Sequence, residues 1–313
     1  MPVFSAYAPG KIILFGEHAV VYGRPAVAVP VQQVQARAVV EPDLRAPSGQ
    51  VRLQANAINL NQTLAELPPG QPLAAAVHAV LAALAIGKPP ACTIRVTSTI
   101  PVAAGLGSGA AVTVAVMRAF SAFLGRPLAD EQVCALAFEI EKLYHGTPSG
   151  IDNTVITYAQ PVYFIQGQPI KTLRVVEGFS MVIGDSGVKS PTAVSVGDVR
   201  RAWQAQHDWF EALFSRIGEL AQEACHLLEH GPSRPLGALM DENHALLQEI
   251  GVSSPELDKL VQAARQAGAW GAKLSGGGRG GNMIALADAE TAGQVVQALQ
   301  AAGAVRTLVT EVK

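Results

Sequence analysis

Cysteine is scarce in this chain, and the three cysteines that occur lie far apart. They are Cys92, Cys134 and Cys225, and no two of them have the CxxC spacing. This arrangement excludes a thiolate zinc site and a disulfide framework, and it is typical of proteins in a reducing compartment. We therefore expect a protein of the cytoplasm.

An excess of either charge is also missing. The chain carries 25 acidic and 23 basic side chains, which gives a formal net charge of −2. No general electrostatic field attracts nucleic acid or an anionic membrane, so neither is expected as a partner. Any site for an anion must be local.

Long hydrophobic runs of the kind that span a membrane are absent as well. The segment between Arg95 and Arg118 has no charged residue, but Pro101 and a cluster of small turn residues interrupt it. Leu73–Ile86 is too short to cross the hydrocarbon layer and predicts a buried helix. Residues Met1–Ala8 have no basic region followed by an apolar core, so we expect no export signal.

Hydrophobic side chains are plentiful, at 49% of the 313 residues. This content suffices for two sizeable cores, and the length exceeds that of a usual single domain. Strand and helix patterns alternate in the first part of the chain, and long helical patterns dominate the second. We therefore predict an N-terminal domain at 1–178, a C-terminal domain at 179–313 and a cleft between them.

The hydrophobic periodicity predicts the individual elements. Strands are predicted at Val27–Val40, Val51–Leu60, Thr93–Thr99, Val155–Phe164, Met181–Asp185, Ala272–Ser275, Asn282–Ala287 and Val305–Val312. Helices are predicted at Leu73–Ile86, from the glycine segment described next to the turn at 125–127, at Ala129–Leu143, at 195–230, 234–249 and 255–267, and at Ala289–Ala302.

The segment 101–111 combines glycines with small residues directly before an apolar run at 112–117. Glycine lets a backbone approach an anion without a Cβ atom in the way, and the first N–H groups of a helix lie unpaired at the positive end of its dipole. The pattern therefore predicts a loop that binds the phosphates of a nucleotide. Its candidate residues are Pro101, Ala104, Gly105, Leu106, Gly107, Ser108, Gly109 and Ala110.

Three interpretations of this loop stay open on its residues alone. Gly105, Gly107 and Ala110 formally match the dinucleotide fingerprint, although Pro101 and several loop residues disturb the tight strand-to-helix turn. A Walker A loop needs a Gly-Lys-Ser/Thr tripeptide, which the chain does not contain. The third interpretation is a turn that only connects two elements.

Two further segments accompany the loop. One is 8–23, Ala-Pro-Gly-Lys-Ile-Ile-Leu-Phe-Gly-Glu-His-Ala-Val-Val-Tyr-Gly, and the other is 273–281, Lys-Leu-Ser-Gly-Gly-Gly-Arg-Gly-Gly. With the loop they resemble, in the right order, the three signature motifs of the GHMP kinases, the superfamily of galactokinase, homoserine kinase, mevalonate kinase and phosphomevalonate kinase. The segments 11–23, 145–153 and 184–192 are most similar to the mevalonate kinase family. The resemblance covers the chain nearly end to end.

This resemblance implies a fold and an activity. The fold would be α+β, with an N-terminal ribosomal-protein-S5-like α/β domain, a C-terminal ferredoxin-like domain with extra helices, and the active site in the cleft between them. The activity would be transfer of phosphate from ATP, with Mg²⁺, to the C5 hydroxyl of mevalonate in isoprenoid biosynthesis. A homodimer is compatible with the resemblance.

The resemblance also implies roles for individual residues. Asp152 would be the catalytic base, and Lys11 would supply the cation that favours the developing alkoxide. Ser108 and Glu141 would bind Mg²⁺, which prefers hard oxygen ligands. The substrate-binding residues would be Lys11, Glu17, His18, Asp152, Thr192 and Gly277.

Glu139 is the nearest rival of Glu141 as a metal ligand. Two residues on a helix of 3.6 residues per turn point about 200° apart, so we expect only one of these carboxylates to face the site. The chain departs from the usual family pattern at three positions. Gly109 stands where relatives have a second serine, Arg279 where many have glycine, and Asn282 where many have cysteine.

Alternative functions remain on the sequence alone. They are phosphomevalonate kinase or another small-alcohol kinase of the superfamily, a binding relative that has lost turnover, and a nicotinamide oxidoreductase. The oxidoreductase lacks a convincing ribose-binding acid after the loop. His226 and His230 formally match a His-x-x-Glu-His zinc motif, but Gly231 and Pro232 end the helix there, so we interpret them as histidines favoured by a helix C-terminus.

Overall fold

The computed structural model describes residues 3–101, 105–145 and 148–313. Its strands are β1 (Phe4–Phe15), β2 (Ala26–Pro42), β3 (Val51–Ala55), β4 (Leu60–Thr63), β5 (Cys92–Ser98), β6 (Val162–Phe164), β7 (Lys171–Thr172), β8 (Phe179–Asp185), β9 (Gly271–Ser275), β10 (Asn282–Ala287) and β11 (Arg306–Val312). Its helices are α1 (Pro72–Ala83), α2 (Ser108–Phe123), α3 (Asp130–His145), α4 (Ile151–Tyr158), α5 (Thr192–Ala205), α6 (His207–His230), α7 (Leu236–Glu249), α8 (Pro255–Gln266) and α9 (Ala292–Ala301). The mixture of helices with sheets confirms the expected α+β class.

The chain forms two compact units, neither of which is continuous in sequence. The described residues of the first unit are 3–10, 34–101, 106–145 and 148–159, and those of the second are 11–33, 105 and 160–313. The paired strands β1 and β2 therefore contribute residues to both units. The domain boundary at residue 178 stays a prediction.

In the first unit, helix α2 packs on β5 in the part of the sheet made of β4, β3, β5 and the second half of β2, and α1, α3 and α4 pack against α2. Strand β3 runs parallel to β5, with Val51 opposite Cys92, and β2 runs antiparallel to β5. Helix α2 contacts β5 and all three other helices of the unit. Its buried face includes Val114, Met117 and Phe120, so the glycine loop leads into a helix that is buried along most of its length.

The second unit is built on an antiparallel sheet with the strand order β11-β8-β10-β9. Helices α7, α8 and α9 pack on this sheet. Phe210, Phe214 and Ile217 of α6 belong to its buried apolar cluster. Pro255 at the first turn of α8 and the Ser254 hydroxyl, which accepts from the Leu257 N–H, begin that helix at the predicted place.

The strand predicted at Val155–Phe164 is wrong over most of its length. Helix α4 occupies Ile151–Tyr158, and only Val162–Phe164 is a strand. The β-branched residues there favour a strand by propensity, but burial on most sides of α4 overrides this weak preference. Gly150 at φ +90° precedes the helix, and Ala159 at φ +51° ends it.

Two other predictions need correction, and one long strand is missing from the predicted elements. The strand predicted at Val51–Leu60 is interrupted by a short 3-10 turn and by Asn59 at φ +53°, so that β4 folds back antiparallel to β3. The single helix predicted at 195–230 is two helices, because Gln206 leaves the helical region between α5 and α6. Strand β1 was not predicted, because its central residues are buried continuously and do not alternate.

Among the described residues, no helix is long and apolar enough to cross a lipid bilayer.

The close approach of α7 and β9 predicts a stability difference between two helical glycines. A Cβ atom on Gly237 would overlap the Trp270 carbonyl, whereas a Cβ atom on Gly293 in α9 would meet nothing within 4 Å. Gly237→Ala should lower the free energy of unfolding by about 1–3 kcal/mol, because backbone must shift to accept the methyl group. Gly293→Ala, the matched control, should raise it by up to about 1 kcal/mol, because alanine favours the helix. Urea denaturation measures both changes, and equal effects would contradict the close packing.

Candidate active site

The glycine loop has the backbone geometry that its composition predicts. Gly105 and Gly107 both have φ +72°, a left-handed conformation that glycine adopts without strain. Gly107 directly precedes α2 as its N-cap residue, and it has no side chain that could cap the helix. Its first turn carries no acidic residue that would repel an anion. Gly105, Gly107, Ser108 and Gly109 therefore surround an open helix N-terminus, which is a place where phosphate binds readily.

Two of the other candidate loop residues have mainly apolar surroundings. The side chains of Leu106 and Ala110 are buried, so they anchor the loop, and only their backbone is left to meet a ligand. Pro101 precedes the loop and is partly buried. Ala104 lies outside the described residues.

The carboxylate of Glu141 faces the first turn of α2. A Cβ atom built on Gly109 would lie 3.7 Å from Glu141 Oε1. Glu141 is 7% exposed on α3, whereas Glu139 points outward and its carboxylate pairs with the Lys142 ammonium at 2.6 Å. The two glutamates thus face opposite sides of the helix. Ser108 and Glu141 bring a hydroxyl and a carboxylate to neighbouring positions of the first unit, a donor set that suits Mg²⁺.

Helix α4 carries Asp152 in its first turn, where the side chain is partly buried. Its neighbour Asn153 is buried and donates from Nδ2 to the carbonyl oxygen and the thiol of Cys134, each at 3.2 Å. Cys134 lies seven residues before Glu141 on α3, which places the two residues on the same face, two turns apart. The Asn153 amide therefore ties the helix with Asp152 to the helix with Glu141. Burial raises the pKa of the Cys134 thiol, so it stays protonated.

In the second unit, the first and third motifs meet through a fully buried ion pair. The Lys273 ammonium donates to the Glu17 carboxylate, and both side chains are 0% exposed. Burial raises the pKa of Glu17 and lowers that of Lys273, while their mutual attraction opposes both changes. The positive charge of Lys11, which is also buried, further lowers the pKa of Glu17.

Lys273 is a residue that the sequence analysis did not select. The signal was present, since a lysine between alanine and leucine in a β-strand is unexpected unless it has a partner. Strands β9 and β1 are also connected near this ion pair by a hydrogen bond, which the Ser275 hydroxyl donates to the Ile13 carbonyl at 2.8 Å. Lys11 and Glu17 therefore lie beside the third motif through contacts that no sequence spacing reveals.

His18 lies against the third glycine cluster. Its Nε2 atom is 3.2 Å from the Gly277 carbonyl oxygen, and since a carbonyl only accepts, Nε2 carries the proton. Nδ1 is then an acceptor, buried and without a partner among the described residues. Burial lowers the pKa of His18 to about 4, so the ring is neutral at physiological pH. A Cβ atom on Gly277 would lie 3.1 Å from atoms of Thr192, so the structure brings His18, Gly277 and Thr192 together.

The histidine motif near the end of α6 forms no cluster with further ligands. The rings of His226 and His230 stack 4.8 Å apart, and His230 Nδ1 lies 3.3 Å from the His226 carbonyl oxygen. Within 3–101, 105–145 and 148–313, no group of three or more histidines, cysteines or acidic residues could hold a metal ion. This geometry supports the interpretation of the pair as residues of a helix end.

Comparison with known families gives two matches. Residues 73–160 match the N-terminal domain of the GHMP kinases, and residues 211–305 match the C-terminal domain of the same kinases. The chain is 36% identical to a mevalonate kinase of Thermococcus sibiricus over 95% of this chain and 93% of that protein. It is 36% identical to a mevalonate kinase of Pyrococcus abyssi over 95% of this chain and 92% of that one.

Solved structures of mevalonate kinases are similar to this chain along almost its whole length. The mevalonate kinase of L. major in complex with R-mevalonate has a TM-score of 0.84 and 31% identity, over 99% of this chain and 95% of that chain. The Methanococcus jannaschii mevalonate kinase has a TM-score of 0.85 and 25% identity, over 99% and 98% of the two chains.

Two buried neutral histidines predict a loss of stability in acid. The pKa values of His18 and His244 are lowered from 6.5 to about 4, chiefly by burial. Between these values the unfolded chain takes up a proton at each histidine and the folded chain does not. The contribution of each histidine to the free energy of unfolding is therefore fully present above pH 6.5 and is lost as the pH falls toward 4. The loss is at most about 3 kcal/mol per histidine.

Urea denaturation at a series of pH values across this range measures how steeply the free energy of unfolding depends on pH. His18→Gln and His244→Gln should each make this pH dependence shallower. A slope that does not respond to the two buried histidines would contradict their neutral state.

Proposed function

Because the chain belongs to the mevalonate kinase family of the GHMP kinases, we propose that it transfers the γ-phosphoryl group of ATP to the C5 hydroxyl of mevalonate. The products are 5-phosphomevalonate and ADP, as in isoprenoid biosynthesis. The observation that carries this proposal is the open N-terminus of α2, with the buried Glu141 carboxylate facing its first turn. A phosphate site beside an oxygen ligand for a metal is what phosphoryl transfer needs.

The phosphates of ATP would lie on the glycine loop. The left-handed Gly105 and Gly107 bring backbone N–H groups toward the ligand, and the α2 dipole attracts its negative charge. Any residue with a Cβ atom would be strained at either position. These features support ATP binding at the loop.

Magnesium would be held by Glu141 and Ser108, with ATP oxygens and water completing its coordination. Bound there, Mg²⁺ neutralises negative charge on the phosphate oxygens. The buried position of Glu141 keeps its carboxylate close to the loop, and the exposed Glu139 is occupied by Lys142. Gly109, in place of the usual serine, leaves open space beside the Glu141 carboxylate, so Ser108 is the hydroxyl that we assign.

We assign the proton transfer to Asp152. Its carboxylate takes the proton of the C5 hydroxyl as that oxygen bonds to the γ-phosphorus, and the bond between this phosphorus and the bridging oxygen breaks, leaving its electron pair on ADP. Lys11 would favour the developing alkoxide by its positive charge. The contact between Asn153 and Cys134 holds the helix of Asp152 in a defined position.

The acceptor would bind at His18, Thr192 and Gly277, and the adjacent Glu17, whose side chain is fully buried against Lys273, would support this site. His18 presents Nδ1 as a buried acceptor without a partner among the described residues, which suits a hydroxyl donor of the substrate. We also propose that the enzyme acts in the cytoplasm, which its three buried free cysteines support. A homodimer stays a prediction.

An assay of ADP release tests the acceptor directly. Purified protein with MgATP is offered mevalonate, 5-phosphomevalonate, homoserine and galactose in separate reactions. We expect turnover with mevalonate far above that with the other three. Turnover with another acceptor would assign a different kinase of the superfamily, and MgATP binding without any turnover would indicate a relative that only binds.

Replacing the base should separate chemistry from folding. Asp152→Asn should fold and bind MgATP but lose about 10²- to 10⁴-fold in kcat, because an amide cannot accept the proton. Single-turnover kinetics with mevalonate measure the loss, and thermal unfolding with and without MgATP checks binding. A variant that keeps more than about a tenth of the wild-type kcat would exclude Asp152 as the base.

The two glutamates of α3 offer a matched test of the metal site. Glu141→Gln removes a charged ligand and should raise the Mg²⁺ concentration for half-maximal rate by about tenfold or more. Glu139→Gln loses only an exposed ion pair with Lys142 and should leave this concentration unchanged. Titration of Mg²⁺ at saturating ATP and mevalonate compares them, and equal shifts would contradict the assignment of Glu141.

A further inference from the structure

Arg279 has a backbone conformation that disfavours it. It is the one residue with a side chain in the glycine cluster 276–281, and its φ of +59° lies in the left-handed region. Its backbone N–H donates to the Val252 carbonyl at 2.7 Å, and its Nε donates to the Gly251 carbonyl at 3.3 Å. Its guanidinium also donates to the Asp198 carboxylate. These bonds offset the strain and direct the side chain toward α5 and the turn at 251–252.

The partner of Arg279 lies on α5. Asp198 accepts from both Arg279 and Arg201, and the hydrogen bond from Arg279 is the main cause that lowers the pKa of Asp198. The Arg279 side chain is 37% exposed, and that of Arg201 is 73% exposed. The two arginines share one carboxylate, but only Arg279 connects it to the glycine cluster.

This ion pair lies beside the candidate acceptor residues. Helix α5 begins at Thr192, which packs on Gly277, and the Gly277 carbonyl accepts from His18. Gly278 and Gly280 are so close to the Val252 and Val188 carbonyls that neither could carry a Cβ atom. The cluster is therefore held by backbone contacts on those sides and by the Arg279 side chain on the side of α5.

We propose that Arg279 is a positioning residue, whose ion pair with Asp198 holds α5 against the glycine cluster and so sets the spacing of Thr192, Gly277 and His18 for the acceptor. The proposal rests on the proposed function in taking mevalonate as that acceptor. Arg279 does not contact the phosphates of ATP. It makes the acceptor site of this chain depend on a charge pair, where a glycine would leave only the packing of Thr192 on Gly277 to hold the cluster against α5.

Steady-state kinetics separate this role from phosphate binding. Arg279→Gly suits the left-handed backbone but loses the ion pair, so the KM for mevalonate should rise about tenfold while kcat and the KM for ATP change less than about twofold. Asp198→Asn should have the same effect, and the double variant should be no worse than either single one. Arg279→Lys, which keeps the charge without the planar fork, should be intermediate.

Arg201→Ala is the matched control, because it removes the exposed partner of the same carboxylate and should leave every constant unchanged. A rise in the KM for ATP in Arg279→Gly would overturn the proposal, since it would place the guanidinium at the phosphates. Unchanged constants in Arg279→Gly, or an equal effect of Arg201→Ala, would overturn it as well.

If the wild-type protein does not phosphorylate mevalonate, the proposed function fails. Thermal unfolding without substrate then tests whether the ion pair attaches α5 to the glycine cluster. Double-mutant cycles compare the coupling of Arg279 with Asp198 to that of Arg201 with Asp198. A larger coupling for Arg279 supports the attachment of α5, and an equal or smaller one overturns it.

Discussion

The fully buried pair of Glu17 and Lys273 is the interaction on which the second unit's part of the site depends. Neither charge is exposed, so each stabilises the other, and breaking a buried pair of this kind costs about 3–5 kcal/mol. The pair joins β9 to the residues that follow β1, and it lies within the electrostatic reach of Lys11. Two positive charges thus lie near one negative charge, which is consistent with the role that we propose for Lys11.

In the first unit, the comparable constraint is the relation between two helices. Helix α3 presents Glu141 to the first turn of α2, and α4 carries Asp152 in its own first turn. The buried amide of Asn153 fixes one helix to the other through a backbone carbonyl, whose position does not depend on a side-chain rotamer. The metal ligand and the base that we propose are thus held by one hydrogen-bonded contact, and such precision is what catalysis of phosphoryl transfer requires.

Left-handed backbone accumulates in the three motifs. Gly105 and Gly107 adopt it without strain, whereas His18 and Arg279 adopt it with a Cβ atom present. Strain of this kind persists only where surrounding bonds compensate for it, and it is concentrated at functional sites. The strain at His18 is offset by its hydrogen bond to Gly277. The strain at Arg279 is offset by its bonds to Asp198 and to the turn at 251–252. The same contacts that offset the strain also shape the proposed acceptor site.

Local sequence patterns were sufficient to predict most helices and strands and the glycine loop. Glycine composition and helical periodicity act over a few residues, which is why α2, α3, α8 and the opposite orientations of Glu139 and Glu141 were predictable. The resemblance to the kinase family supplied the candidate residues, since spacing alone left three interpretations of the loop open.

The features that were not predicted are decided by tertiary packing, because they depend on contacts between residues far apart in sequence. Helix α4 forms from β-branched residues since it is buried on most sides, and Gln206 divides a helix whose periodicity is unbroken. The partners of Lys273 and Arg279 lie 256 and 81 residues away. A charge in a strand and an arginine among glycines indicate that a partner exists, but only the tertiary structure identifies Glu17 and Asp198. The reason is that the energy of a charge depends on which opposite charge the fold brings to it and on how far it is removed from water.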